Sequence, residues 1–257
     1  MNSLIWLESD TPLPDPDRAL PDGLLAAGGD LSVTRLGEAY SKGIFPWFNE
    51  GDPVLWWSPD PRMVLECARF KESRSLGKKL RQMARLQDSP EERVIVTTDL
   101  AFQYVIRACA APRATQSGTW ISDRIIHAYS KWHLMGQAHS VETWVDGRLA
   151  GGLYGVNLGG FFFGESMFAW SADASKIALA YLVRFLARHG ITHLDCQQDT
   201  PHLSSLGATT MSRAAFLTLM REAIQRPAPL WQAGRLLHDG QLRPQQAERP
   251  RHSKDEA

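Results

Sequence analysis

Residues 140–163 read SVETWVDGRLAGGLYGVNLGGFFF, and this stretch decides the fold. Residues 141–145 read as a strand. Asp146-Gly147 is a two-residue hairpin signal, because such a turn needs a left-handed backbone that Asp and Gly tolerate. Residues 148–156 are the return strand. Asn157 to Gly160 turn the chain again, and residues 161–163 begin a third strand. The spacing predicts an antiparallel meander.

Working outward, residues 174–189 predict a helix, with Asp173 to cap it and Gly190 to end it. Only Lys176, Arg184 and Arg188 make a polar stripe on it, and a helix this apolar packs on a sheet. Residues 191–196 form a strand of the same sheet. Ser212 caps a last helix reaching about residue 225. Upstream, residues 73–86 are helical, with Leu76, Leu80 and Met83 as the apolar stripe. Residues 94–98 are a strand, and 100–109 and 122–135 are helices. Residues 1–62 are rich in Pro, Gly and Trp, with one short helix over 36–41, and read as a small N-terminal domain. Residues 63–232 form the main domain. Residues 233–257 are polar and rich in Arg and Gln, and the composition predicts disorder. Meander, helix, strand, helix is an α+β layout with a mixed, mostly antiparallel sheet. Acyltransferases of the acetyltransferase-like fold share it, although layout alone assigns no function.

Bulk properties narrow the class. Lys plus Arg and Asp plus Glu each number 28 in 257 residues, so any nucleic-acid contact must come from a local patch. The three cysteines are scattered, which speaks against a disulfide framework or a zinc site. The N-terminus lacks a basic start followed by an apolar core. The apolar run 177–183 stops at Arg184, far short of the ~20 residues of a membrane span. A cytoplasmic protein is expected.

Several segments then fall in a telling order: GLLAAGGDLS at 23–32, GIFPWF at 43–48, WWSPDPR at 56–62, GTWI at 118–121 and FFFGESMF at 161–168. ASKIAL at 174–179, DCQ at 195–197 and SLGA at 205–208 follow. Together they resemble the leucyl/phenylalanyl-tRNA–protein transferase family over about residues 20–225. The resemblance implies an acetyltransferase-like catalytic domain that uses leucyl-, phenylalanyl- or, less well, methionyl-tRNA. It implies acceptor proteins beginning with Arg or Lys, product degradation, a monomer, and no cofactor or metal. The residues agree on one point independently. A coenzyme A enzyme of this layout needs a Gly-rich pyrophosphate loop before the helix. Residues 166–175 contain no Gly, and they carry Asp173.

Alternation places Asp195 and Gln197 on one face of a strand end, and Glu165 is expected at the end of the third meander strand. By themselves such carboxylates equally well cap turns. The resemblance makes Glu165, Asp195 and Gln197 the catalytic set, with Gln197 orienting the acceptor amine and Asp195 accepting its proton or stabilising the ammonium. It assigns the donor pocket to Leu153, Phe162, Ile177, Leu179 and Leu182, positions that otherwise read as core. Leu153, Ile177 and Leu182 depart from the residues usual in the family (Met, Thr and Phe), so the pocket stays apolar with an altered shape. β-branched donors are expected to be poor. Trp47 and Trp120 are expected to stack on the terminal adenosine or the acceptor peptide, and Trp56 to pack. Trp57 has no assigned role. Arg74, Lys78, Lys79, Arg81 and Arg85 are expected to meet tRNA phosphates, against the plainer reading of a solvated helix face. Asp199 and Thr200 depart from the family pattern after DCQ, and Thr200 is left out of the site. The rival readings are an acyl-CoA N-acyltransferase and a non-catalytic tRNA-binding protein.

Overall fold

The computed structural model describes residues 4–111 and 120–245. Gly118 and Thr119 of GTWI, and the tail beyond 245, lie outside the described residues. Strands β1 (Ile5–Leu7), β2 (Leu24–Gly28), β3 (Phe45–Pro46) and β4 (Leu55–Trp57) form a four-stranded sheet in the order β1-β2-β4-β3. Helix α1 (Val33–Ser41) lies between β2 and β3, and the Ser32 hydroxyl caps it by accepting from the Arg35 N–H.

The second sheet has nine strands. They are β5 (Arg62–Glu66), β6 (Val94–Thr98), β7 (Ala138–Val145), β8 (Arg148–Leu158), β9 (Phe161–Ala169), β10 (His193–Gln197), β11 (Thr209–Met211), β12 (Gly234–Leu236) and β13 (Leu242–Pro244). Their order is β11-β5-β10-β9-β8-β7-β6-β12-β13. Helices α2 (Arg74–Leu86), α3 (Phe102–Ala110), α4 (Asp123–Leu134), α5 (Ala174–Arg188), α6 (Pro201–Ser205) and α7 (Arg213–Ile224) complete the chain. The fold is α+β, as the order of elements predicts.

The meander is β7-β8-β9. Asp146 and Gly147 have φ of 50° and 72°, the left-handed pair that matches the twist of a two-residue hairpin. Only β9 and β10 pair in parallel among the strands of this sheet described, and α5 is the crossover between them. Alternation sorts the apolar residues by face. Tyr154, Val156, Phe161 and Phe163 join a core with α3, α4, α7 and the N-terminal sheet. Val141, Leu153 and Phe162 point the other way, into a core with α5 and the Leu76–Leu80–Met83 stripe of α2.

Three expectations need correction. β9 runs to Ala169, so Glu165 lies inside the strand and not at its end. Asp173 makes no capping bond to α5; it sits at φ 66° and pairs with Lys176 and Lys79. Residues 233–245 are not disordered. β12 extends the sheet beside β6, Leu236 is buried, and Arg235 and Arg243 both reach Asp88. Composition misled here because the charges that suggest a solvated tail are spent on partners far away in sequence.

Candidate active site

Two β-bulges build the site. Tyr154 faces Ser166 and Gly155 faces Gly164, so Glu165 is an extra residue on β9. On β10, Asp195 faces Val64 and Gln197 faces Met63, so Cys196 is extra. A bulge kinks its strand and re-aims the side chains beside it. The parallel pairing of β9 with β10 covers Phe162 with Leu194 and Phe163 with Asp195. Past those pairs the strands part, and a cavity of about 420 Å³ opens between them. That is within the roughly 300–1,000 Å³ of small-molecule sites.

Leu65, Leu153, Phe162, Leu179, Leu182 and Leu194 form its apolar end. Glu165, Gln197, Thr200 and His202 give polar lining. A second hollow of about 150 Å³ shares Trp120, Glu165 and Gln197, and adds Phe45, Pro46 and Trp47. One cleft therefore joins a greasy end to a polar and aromatic mouth. Of the residues expected in the donor pocket, Ile177 is misplaced. It is buried in the core under α5 and does not reach the cavity wall.

Asp195 is fully buried. Its two oxygens accept from Arg62 Nε at 2.8 Å and Nη2 at 2.6 Å, and Oδ1 also accepts the Gln197 N–H at 2.9 Å. Arg62 is 1% exposed, donates to the Gly43 carbonyl at 3.2 Å, and lies near the Phe45 and Phe216 rings. A carboxylate held on both oxygens by a buried guanidinium is fixed in place by charge-assisted hydrogen bonds. Asp195 also lines the cavity. It holds Gln197 at φ 57°, a left-handed conformation that costs a non-glycine residue energy.

Glu165 is a titratable group lining the cleft. It accepts from the Tyr40 hydroxyl at 2.6 Å, the Tyr129 hydroxyl at 3.4 Å and Gln197 Nε2 at 3.4 Å. Burial pushes its carboxyl up to about 8, the Asp195 charge adds to this, and the Tyr40 bond and the Arg62 charge oppose it. A carboxyl poised near neutrality is a mark of sites that move protons. Sequence reasoning missed Arg62, Tyr40 and Tyr129. The ion pair spans 133 residues, and the Tyr40–Glu165 bond spans 125. Their one local signal is an Arg at the start of the apolar run RMVL, which requires a buried partner.

Trp47 is 37% exposed at the mouth. Trp57 supports it, donating its indole N–H to the Trp47 carbonyl at 2.7 Å with ring centroids 5.4 Å apart. Trp56 is fully buried and donates to the Gly28 carbonyl, a packing role. Arg74, Lys78, Arg81 and Arg85 are exposed on α2. Lys79 is set apart from them, since its amine donates to the Ala172 carbonyl at 3.0 Å and anchors the approach to α5. Among the described residues, no cluster of His, Cys, Asp and Glu is arranged to hold a metal, and no helix is long and apolar enough to cross a membrane.

The family model described as leucyl/phenylalanyl-tRNA protein transferase matches residues 64–221, and the model of its N-terminal domain matches residues 29–60. The chain belongs to this family. A leucyl/phenylalanyl-tRNA–protein transferase of Bordetella avium is 57% identical over 239 residues, covering 92% of this chain and 96% of that protein. One from Bordetella petrii is 59% identical over 243 residues, covering 94% and 96%. A solved GCN5-related N-acetyltransferase from Kribbella flavida covers 68% of this chain and 60% of its own at 8% identity and a TM-score of 0.31. That likeness is too loose to bear on the chemistry. As a member of the transferase family, the protein is an aminoacyltransferase acting from tRNA onto protein. In this transferase the cleft between β9 and β10 is the candidate place of reaction.

Proposed function

We propose that the protein transfers leucine or phenylalanine, and methionine less well, from aminoacyl-tRNA to the α-amino group of proteins that begin with Arg or Lys, marking them for degradation. One observation carries the reading: a single cleft has an apolar end sized for such a side chain and a rim bearing Glu165 and Gln197. Leu153, Phe162, Leu179 and Leu182 hold the donor side chain. Isoleucyl-tRNA, branched at Cβ, is a poor donor. Trp47 and Trp120 flank the terminal adenosine or the acceptor chain. Arg74, Lys78, Arg81 and Arg85 meet tRNA phosphates, as a monomer in the cytoplasm.

The donor ester is already activated, so the protein has chiefly to position. The neutral amine attacks the ester carbonyl carbon, the C–N bond forms, and the C–O bond to the terminal ribose breaks. The amine releases a proton and the ribose oxygen takes one up. Gln197 turns its Nε2 toward Glu165, which leaves its amide oxygen to accept from the attacking amine. Glu165, ionised when a cationic chain start arrives, takes the released proton.

The test offers labelled leucyl-tRNA and a peptide beginning with Arg, then the same peptide with labelled acetyl-CoA. Label entering the peptide only from tRNA supports the reading. Transfer from acetyl-CoA favours the N-acyltransferase, and tRNA binding without transfer favours the non-catalytic reading.

A further inference from the structure

The apolar end of the cleft has a second layer, supplied by chain that lies beyond the family match at residue 221. Phe162 lines the cavity and is fully buried. Its ring lies across Gly155, where an added Cβ would come within 2.5 Å of it, so Phe162 has backbone beneath it and nowhere to settle on that side. Its ring also stacks on Trp231, with centroids 5.8 Å apart and planes 30° from parallel.

Trp231 does not line the cavity. It is wedged in place by the His139 ring, stacked at 4.3 Å, and by Phe185 at 4.6 Å. His139 is fixed in turn by Asp99 at 2.8 Å and the Gly136 carbonyl at 3.1 Å. The backbone beside Trp231 is pinned as well. Thr98 Oγ1 donates to the Gln232 carbonyl at 2.8 Å, and Gly234 pairs with Thr98 as β12 begins.

We propose that Trp231, acting through Phe162, sets the depth of the donor pocket and thereby the choice between aliphatic and aromatic donor side chains. The inference rests on the donor reading above. A rigid wall discriminates by volume, and differences of a methylene or so are worth about 10–200-fold at a well-packed site. With a smaller residue at 231, Phe162 can swing back and the cavity deepens toward β6. The larger donor then gains.

The experiment uses the full chain with Trp231→Leu and Trp231→Phe, and compares kcat/KM for phenylalanyl-tRNA and leucyl-tRNA with an Arg-starting peptide. The expected result is a phenylalanine-to-leucine ratio raised about tenfold by Trp231→Leu, and raised less, in the same direction, by Trp231→Phe. Equal loss for both donors, with the ratio within about twofold of the unaltered protein, overturns the inference and makes Trp231 structural only. If Trp231→Leu fails to melt cooperatively, the Trp231→Phe ratio decides alone. Absence of transfer from both donors by the unaltered protein is a separate outcome, and it overturns the donor reading itself.

Discussion

Replacing Glu165 by Gln tests the claim that this carboxyl is held neutral by its surroundings. The ordinary glutamate value is 4.5, and in the fold Glu165 titrates near 8, chiefly because of burial. The folded chain thus binds one more proton than the unfolded chain between those values. Stability falls as pH rises through that window, by about 1.4 kcal/mol per pH unit at most. From pH 5 to 8 the limit is about 4 kcal/mol, and water in the open cleft reduces it to about 2 kcal/mol. Gln keeps the shape and the acceptor for Tyr40 but cannot ionise. Urea unfolding of both proteins from pH 5 to 9 isolates the effect, because all other titrating groups cancel in the difference. The Gln variant should gain on the parent steadily up to about pH 8 and then level off. A difference flat to within about 0.5 kcal/mol across that range would refute the assignment. The same variant should lose transfer activity by about 10²-fold or more, since its amide takes up no proton.

Arg62→Met leaves the Asp195 charge buried without its partner. It should cost about 3–5 kcal/mol, read as a lower urea midpoint. Gly155→Ala forces a Cβ against the Phe162 ring and the Phe163 carbonyl. It should destabilise by about 1–3 kcal/mol and impair leucyl and phenylalanyl transfer in assays run below its melting temperature. Arg81→Ala removes one exposed cation from α2. The slope of log affinity for tRNA against log salt should become shallower by about 1, whereas Lys79→Ala should lower stability and leave that slope closer to the parent's.

The meander was legible because its turn chemistry is local: Asp146-Gly147 fixes the hairpin, and the faces follow from alternation. The helix after it was legible for the same reason, from its apolar surface and its glycine stop. The bulges were not. An inserted residue in β9 reverses which side chains face which core, so Phe163 and Met167 lie on opposite faces although both are odd-numbered. No count of alternating residues reveals that break. Leu153, Phe162, Leu179 and Leu182 were found through likeness to relatives, because a wall residue and a core residue have the same composition. Ile177 shows the limit of that likeness. It lies two residues before Leu179, about 160° around α5 from it, and its chemistry gives no warning. The tail failed for the opposite reason. Arg235 and Arg243 look solvated until Asp88 and Glu92 are seen across from them.

The guanidinium of Arg62 also touches the N-terminal part of the chain, through the Gly43 carbonyl and the Phe45 ring. Peeling that part away would uncover the Arg62–Asp195 pair and strip Tyr40 from Glu165 in one motion. The smaller sheet is thus no detachable accessory: heat or denaturant should dismantle both sheets in a single step, and a shortened protein that lacks residues 1–60 should be not a weakened transferase but an unfolded one.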